Sequence, residues 1–505
     1  MLERYVKKIL ASRVYDVASE TPLQEAPQLS RRLDNRVFFK REDLQPVFSF
    51  KLRGSYNKMV QLSPAAKAKG VIAASAGNHA QGVALAAARL GIKAHIVMGH
   101  NAPEIKVNAV KNLGARVILH GDTFDDAAVH AKSLMVKHGY TFVHPFDDPD
   151  VIAGQGTIGM EILNQHGADI HAIFVPVGGG GLIAGIAAYV KYLKPHIRII
   201  GVESEGSACL SAALRAKRRV KLPIDTLDLF ADGVSVAQVG AEPFKIARKC
   251  VDEVIVASTD EICGAVKDIF DDTRSIAEPA GALATAGLKK YVERTGVSGC
   301  DLIAIDSGAN VNFDRLRHIS ERAELGEKRE AIFAVTIPER PGSFRAFCRT
   351  LGKRSVTEFN YRFSDSNQAR VYVGLQIGAG ASRASLMDVL EGAGYSVEDM
   401  TDNEIAKLHV RHMVGGRVSR AMSESIYRFE FPERPGALMK FLMGLGEKWN
   451  ITMFHYRNHG ADWGRVLAGF EAGTEERAQL RGFLDRIGYR YSEETANSAY
   501  QMFLR

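Results

Sequence analysis

The chain has 505 residues, 46% hydrophobic and 24% charged, the composition of a globular protein too long for one compact core. Its 65 basic and 58 acidic residues are interspersed, and a net charge of +7 over this length gives no compositional support for a nucleic-acid partner. No apolar run reaches the ~18 residues that a membrane-spanning helix needs.

Taken in order, Met1–Leu10 reads as a short amphipathic helix without a signal-peptide core. Val37–Asp43 turns from apolar to charged. Ser49-Phe50-Lys51-Leu52-Arg53-Gly54 follows and leads into a helix expected over Gly54–Leu62, which puts Lys51 at a loop-to-helix junction. Strand and helix then alternate. Strands are expected at Gly70–Ser75, Ala94–Met98, Ala115–Leu119, His171–Val177, Ile197–Glu203 and Asp301–Ile305. Between them the periodicity predicts helices over Ala80–Leu90, Pro103–Leu113, Thr123–His138 and Leu182–Leu193. Short β-rich runs separated by helical stretches imply right-handed βαβ units, mostly parallel sheets, and ligands at the carboxyl ends of the strands.

The composition shifts at the charged stretch Glu321–Glu330, expected to be a helix end or linker. An internal repeat follows. Ile337-Pro338-Glu339-Arg340-Pro341-Gly342-Ser343-Phe344 recurs as Phe431 to Leu438, and Thr357-Glu358-Phe359-Asn360-Tyr361-Arg362 recurs as Thr452 to Arg457. Each copy reads strand, turn, amphipathic helix, strand, turn, strand, helix, strand. This is a small α+β module used twice. The five cysteines are scattered without a CxxC pair, which predicts free, mostly buried thiols in a reducing cytoplasm. The fifteen histidines show no metal-ligand spacing, so no catalytic metal is expected.

Four stretches carry chemistry. Lys51 lies between Phe50 and Leu52. An ammonium desolvated there loses basicity, and a neutral amine can attack a carbonyl and hold it as a Schiff base. The bland alternative is an exposed lysine at a helix start. Ser75-Ala76-Gly77-Asn78-His79 joins a strand to a helix whose N-terminus favours an anion such as a carboxylate, though an ordinary capped turn would look the same. Gly178-Gly179-Gly180-Gly181-Leu182 also joins a strand to a helix and can cradle a phosphate on its N–H groups. It has a rival reading, because Gly179, Gly181 and Ala184 spell GxGxxA and Glu203 ends the next strand, as in a nicotinamide-dependent oxidoreductase. Ser307-Gly308-Ala309-Asn310 follows the last buried strand, and a hydroxyl there can meet a heterocyclic nitrogen.

Together these stretches resemble one family. From Arg13–Asp16 through Lys51, Ser75–His79, Gly178–Leu182 and Ser307–Asn310 to both C-terminal modules, the chain resembles the biosynthetic threonine dehydratases, pyridoxal phosphate enzymes of the tryptophan-synthase-β-like fold (fold type II). The resemblance implies an α/β catalytic domain with two parallel-type sheets over residues 1–325. It also implies an α+β, ACT-like regulatory domain built from two repeats, 326–415 and 416–505.

The implied reaction is β-elimination and deamination of L-threonine to 2-oxobutanoate and ammonia, the first step of isoleucine biosynthesis, with L-serine as a second substrate. Lys51 would hold the cofactor and take the Cα proton. Phe50 would pack on its ring, and Asn78 would bond its phenolic oxygen. Gly178–Gly181 with Leu182 would bind its phosphate, and Ser307 would meet its ring nitrogen. Ser75, Ala76, Gly77, Asn78 and His79 would hold the substrate carboxylate. A serine at the ring nitrogen makes a weaker electron sink than an acid would, which favours elimination. Isoleucine as inhibitor and valine as its opponent would act at the modules. Phe344 and Leu438, with the matched polar pair Asn360 and His455, are the regulatory candidates. The resemblance further implies a cytoplasmic homotetramer. A cation near Glu203–Ala208, bound by some relatives, is left open. Two other classes stay open on the residues alone: the oxidoreductase above, and an amino-acid sensor with a dead catalytic domain.

Overall fold

The structure is a computed structural model. It describes all residues except 101, 103, 122–123, 228–229, 314, 327–328, 353, 364–366, 378–381, 409, 414–422, 433–436, 446–448, 458–462, 473–474, 499, 501–503 and 505, and the side chains at 124, 225, 404, 408, 430–432, 437, 444–445, 457 and 463–465. The second proline–glycine turn, at 433–436, lies outside the described residues. The chain divides into two compact units, Met1–Gly326 and Glu327–Arg505. No helix among the described residues is long and apolar enough to cross a membrane.

Among the described residues ten strands build the first unit: β1 (Leu23–Glu25), β2 (Arg36–Arg41), β3 (Val71–Ala74), β4 (Ala94–Met98), β5 (Arg116–Leu119), β6 (Thr141–Phe142), β7 (Ala172–Pro176), β8 (Arg198–Ser204), β9 (Glu253–Ala257) and β10 (Asp301–Asp306). The smaller sheet has the order β5-β4-β3-β6 and is parallel throughout. The larger has the order β1-β2-β10-β7-β8-β9. It is parallel except at its edge, where β1 runs antiparallel to β2, so it is mixed rather than purely parallel. The strands β3, β7 and β10 are buried along their whole length, which explains their unbroken apolar runs.

Four strands, β1, β2, β6 and β9, were not legible as such in the sequence. Three of the six residues of β2, Arg36, Lys40 and Arg41, are cationic, yet Lys40 and Arg41 are buried. They are held by ion pairs. Lys40 Nζ lies 2.6 Å from Glu161, and Arg41 meets Asp43 at 2.7 Å. At the middle of this network sits Arg53, fully buried, with its guanidinium forked onto Glu42 (2.8 Å twice) and onto Glu161 (2.6 and 3.1 Å). Thr21 adds its hydroxyl to Glu42 at 2.6 Å, and Tyr15 adds its own to Glu161 at 2.8 Å. The strand β1 is three residues long and β6 only two, too short for a periodic signal.

Among the described residues the second unit is one eight-stranded antiparallel sheet, with the longer helices on one face and the short helical segments Glu404–Leu408 and Val410–His412 on the other, where Asn360 donates to the Arg411 carbonyl at 3.2 Å. The first module supplies β11 (Glu330–Pro338), β12 (Val356–Arg362), β13 (Gln368–Gln376) and β14 (Ser396–Asp399). The second supplies β15 (Glu424–Pro432), β16 (Ile451–Arg457), β17 (Trp463–Glu471) and β18 (Arg490–Glu493). The order β14-β11-β13-β12-β16-β17-β15-β18 is the same sequence of strands read outward from the centre in each half. The modules join through β12 and β16, where Asn360 stands directly opposite His455. Since those two residues are also equivalent in the repeat, the pair marks a local two-fold axis. Fine detail is duplicated as well. Thr357 donates to Glu330 beside Gly374, and Thr452 donates to Glu424 beside Gly469.

Candidate active site

Lys51 is the first residue of the helix Lys51–Val60, so its side chain leaves the fold at a helix start. The preceding residues are tied to the end of β10. Ser49 bridges Gly308, and the Phe50 N–H donates to the Ser307 carbonyl at 3.3 Å. Lys51 Nζ lies 5.0 Å from the centre of the Phe50 ring. Burial pushes the ammonium down to about 8, partly offset by the charge of Glu278, so a useful fraction is neutral near physiological pH. Arg53, two residues on, anchors the helix carrying Lys51 to β2 and to the helix Pro149–Gln165.

The Ser75–Gly77 turn leaves the carboxyl end of β3 and opens the helix Asn78–Leu90. That helix packs closely on Lys51, since a Cβ at Gly82 would fall 3.0 Å from the Lys51 carbonyl carbon. A Cβ at Gly77 would meet nothing within 4 Å, so this backbone fronts open space. The Ser75 hydroxyl accepts the Gly77 N–H at 3.2 Å. His79 is the second residue of this helix. Its ring is buried, with Nε2 2.8 Å from the Val143 carbonyl and Nδ1 3.4 Å from Ser55. Burial and the nearby Lys51 hold the imidazole down at about 3, hence neutral. Only its backbone N–H, at the open end of the helix, is available to an anion.

The four glycines leave β7 and start the helix Gly181–Leu193. Gly180 has φ +88°, a conformation that turns successive N–H groups into one concavity. There is no room for side chains around them. A Cβ at Gly179 would sit 2.2 Å from the Phe146 ring, and one at Gly178 would sit 2.9 Å from Val234. Leu182 is buried against the sheet. Ser307 follows β10, the neighbour of β7, and donates its hydroxyl to the Ala280 carbonyl at 3.3 Å. Lys51, Phe50, Asn78 and Ser307 thus form one neighbourhood, and the glycine loop joins it through Val234 and Gly233, which lies beside Glu278 and Ala280.

The dinucleotide reading of the glycine loop fails on geometry. The carboxylate of Glu203, which would have to meet a ribose, is buried and accepts the N–H groups of Leu210 and Ser211 at 2.7 and 2.8 Å. The same engagement occupies the residue that opens the segment considered for a cation.

The four regulatory candidates do not converge. Phe344 is buried on the helix side of the antiparallel sheet, against Tyr361, Phe359 and Phe454. Asn360 lies between Phe359 and Tyr361 in β12, and strand alternation puts it and His455 on the other face. On the helix side a shallow pocket, open to solvent, is lined by Arg340, Phe344 and Arg345 of the first module and Leu442, Trp449 and Ile451 of the second. Leu438 is half-buried against the same core, one turn from Leu442.

Residues 14–308 match the family model described as pyridoxal-phosphate dependent enzyme, and residues 321–410 and 415–504 each match the C-terminal regulatory domain of threonine dehydratase. The chain is 54% identical to the L-threonine dehydratase biosynthetic IlvA of Burkholderia multivorans over 99% of each chain. The chain belongs to the biosynthetic threonine dehydratases. It is 53% identical to the Escherichia coli member, over 99% of this chain and 97% of that one. Among solved structures, the processed form of threonine deaminase isoform 2 from Solanum lycopersicum superposes with a TM-score of 0.62 at 51% identity, covering 64% of this chain and 93% of that one. The family's cofactor is pyridoxal phosphate, and the residues above fit it: a basic amine depressed by burial, a flat aromatic neighbour, a side-chain-free cradle at a helix start, and a hydroxyl at the adjoining strand end. The residue not foreseen in the sequence is Glu278, while Asn310 stood in the Ser307–Asn310 stretch without a role of its own. Asn78 Nδ2 donates to Glu278 at 2.6 Å, and Asn310 Nδ2 donates to Asn78 Oδ1 at 2.7 Å. Glu278 followed by Pro279 reads locally as a plain helix cap, so only the long-range contact reveals it.

Proposed function

We propose that this chain deaminates L-threonine, with L-serine as a second substrate, to the 2-oxo acid and ammonia as the first step of isoleucine biosynthesis. In this reading Lys51 holds pyridoxal phosphate, and the C-terminal unit senses isoleucine and valine. The observation that carries it is the meeting of Lys51, Asn78 and Ser307 beside a glycine cradle, in a chain 54% identical to a biosynthetic threonine dehydratase. The domain limits that go with it are 1–325 for catalysis and 326–415 and 416–505 for regulation.

When bound, the cofactor supplies an electron sink for the substrate's Cα. The protein's share follows from its own groups. Lys51, neutral in part at pH 7–8, can attack a carbonyl and later take the Cα proton from one position. Phe50 would pack on the cofactor ring, and Leu182 would continue the phosphate loop into its helix. The N–H groups of Gly178–Gly181 and the start of their helix suit a phosphate, and those at Ala76–His79 suit the substrate carboxylate. Ser307 is neutral. At 3.3 Å its bond to Ala280 is long, and its hydroxyl can donate instead to a ring nitrogen without protonating it. Such a ring withdraws electrons less strongly, which suits quick loss of the β-hydroxyl.

The depressed amine gives a pH test. Capture of pyridoxal phosphate by the apoenzyme requires unprotonated Lys51, so its rate should rise about tenfold per pH unit below the amine's midpoint and level off above about 8. Stopped-flow absorbance would follow it. A rate still climbing toward the ordinary lysine value of 10.5 would mean that Lys51 is not desolvated.

For regulation, the solvent-open pocket between the modules offers guanidinium groups of Arg340 and Arg345 for a carboxylate and Phe344, Leu442 and Ile451 for a branched apolar side chain. Coupling between this unit and the catalytic site of ~1–3 kcal/mol would shift threonine half-saturation roughly 5–150-fold on adding isoleucine. Valine should reverse the shift. Removing the chain from Glu330 onward should abolish it. No shift at saturating isoleucine, with direct binding also absent, would reduce the second unit to a structural part. The proposal includes a homotetramer and a cytoplasmic location, for which the five free cysteines are support.

A further inference from the structure

We propose that Glu278 and Asn310 form a clamp that fixes which way the Asn78 amide faces, and that Glu278 is thereby a positioning residue for the cofactor. This rests on Asn78 facing the cofactor's phenolic oxygen, as proposed above.

An asparagine amide has a donor end and an acceptor end of almost the same shape, so only its partners decide its orientation. Here both ends are spoken for. Asn310 Nδ2 donates to the Asn78 oxygen at 2.7 Å and also to the Val47 carbonyl at 2.8 Å, so Asn310 is itself fixed as a donor. At the other end, Asn78 Nδ2 donates to Glu278 Oε1 at 2.6 Å, the short distance of a charge-assisted bond. The amide nitrogen has two hydrogens. With one on Glu278, the second is held toward a fixed point.

Glu278 gives up a local role to do this. It stands at the N-cap position of the helix Pro279–Thr295, where an acidic side chain usually accepts from its own helix, yet it makes no such bond. Its side chain is directed across the turn that follows β10. A Cβ at Gly308 would fall 2.9 Å from Glu278 Oε1, so the glycine of Ser307–Asn310 is what lets the carboxylate reach Asn78. The Glu278 N–H in turn donates to the Gly308 carbonyl at 3.0 Å, which locks the two segments together. Glu278 is 4% exposed. Burial and the nearby Asp232 make its carboxyl less acidic, with a pKa raised to about 7, opposed by Asn78, Lys106 and Lys51.

The test compares Asn78→Ala, Glu278→Ala, Glu278→Gln and Asn310→Ala in the purified holoenzyme, reading cofactor affinity and the pH midpoint of the cofactor's absorption band. Asn78→Ala sets the scale. Glu278→Ala and Asn310→Ala should each move the band's midpoint in the same direction as Asn78→Ala. Glu278→Ala should weaken cofactor binding about 10- to 100-fold, the range for one charge-assisted hydrogen bond. Glu278→Gln keeps the volume and one acceptor oxygen, so it should lose only about threefold in affinity. If Glu278→Ala does not fold, Glu278→Gln and Asn310→Ala carry the comparison. An altered spectrum in Asn78→Ala, with Glu278 and Asn310 variants indistinguishable from the parent, overturns the clamp. An unaltered spectrum in Asn78→Ala overturns the placement of Asn78 on which the clamp rests.

Discussion

Lys51→Ala should yield a folded protein that binds no cofactor covalently and turns over L-threonine at least ~10⁴-fold more slowly than the parent. Two functions disappear with one amine, the covalent hold on the cofactor and the base for the Cα proton, and no nearby group can replace it. His79 and His144 both feel the charge of Lys51, but the His79 ring is buried and committed to Val143 and Ser55, and His144 Nδ1 accepts the N–H groups of Phe146 and Asp147. Glu278 is committed to Asn78. The fold should survive, because the contacts that set the helix start use the backbone: the Lys51 N–H to Ser49 Oγ, and the Phe50 N–H to Ser307. The check is ammonia release together with absorbance of the borohydride-treated protein. Activity within tenfold of the parent would remove Lys51 from the chemistry.

The second large effect is expected at Arg53, which no substrate touches. Arg53→Ala would leave Glu42 and Glu161 buried with Lys40 as the remaining nearby cation. Breaking a buried pair in this way costs about 3–5 kcal/mol, because the abandoned charges stay desolvated. That is a large share of the stability of a typical domain. Since Arg53 ties the helix carrying Lys51 to β2, the first loss on titration with urea should be bound cofactor. A sharper form of the test replaces Arg53, Lys40, Glu42 and Glu161 together with apolar residues of similar volume, so that no buried charge is left unpaired, and this should be less damaging than Arg53→Ala alone. If Arg53→Ala unfolds at the parent's urea concentration, the network is not what holds that helix.

Arg53 also shows where sequence reading stops. The strands β3, β7, β8 and β10 were legible because each is a short apolar run between helical patterns, and burial on both faces of a parallel sheet demands that. The strand β2 was not, because Lys40 and Arg41 look solvent-exposed until Glu161 and Asp43 are seen beside them. The candidate site divides in the same way. Lys51, Gly178–Gly181 and Ser307 were found from loops at strand ends, a local signal. Glu278 was missed, since its meaning lies in Asn78, distant in the chain. The direction of the His79 ring was not addressed, because the start of a helix specifies its backbone N–H groups but not where its side chain turns. In the second unit the duplication was plain in the letters. That Phe344 and Asn360 fall on opposite faces follows from strand alternation once β12 is located.

The Asn360–His455 pair has a consequence for how the second unit can be taken apart. At that axis each module covers the other's open strand edge, β12 on β16. A single module cut free would expose an unpaired edge flanked by buried aromatics such as Phe359 and Tyr361, a surface that recruits another strand. Because the axis makes the two edges alike, the readiest recruit is a second copy of the same fragment, joined through the same antiparallel register. Half of the sensor is therefore not a smaller sensor. It is a protomer in search of its twin, and a cut that spares the rest of the chain must remove both modules or neither.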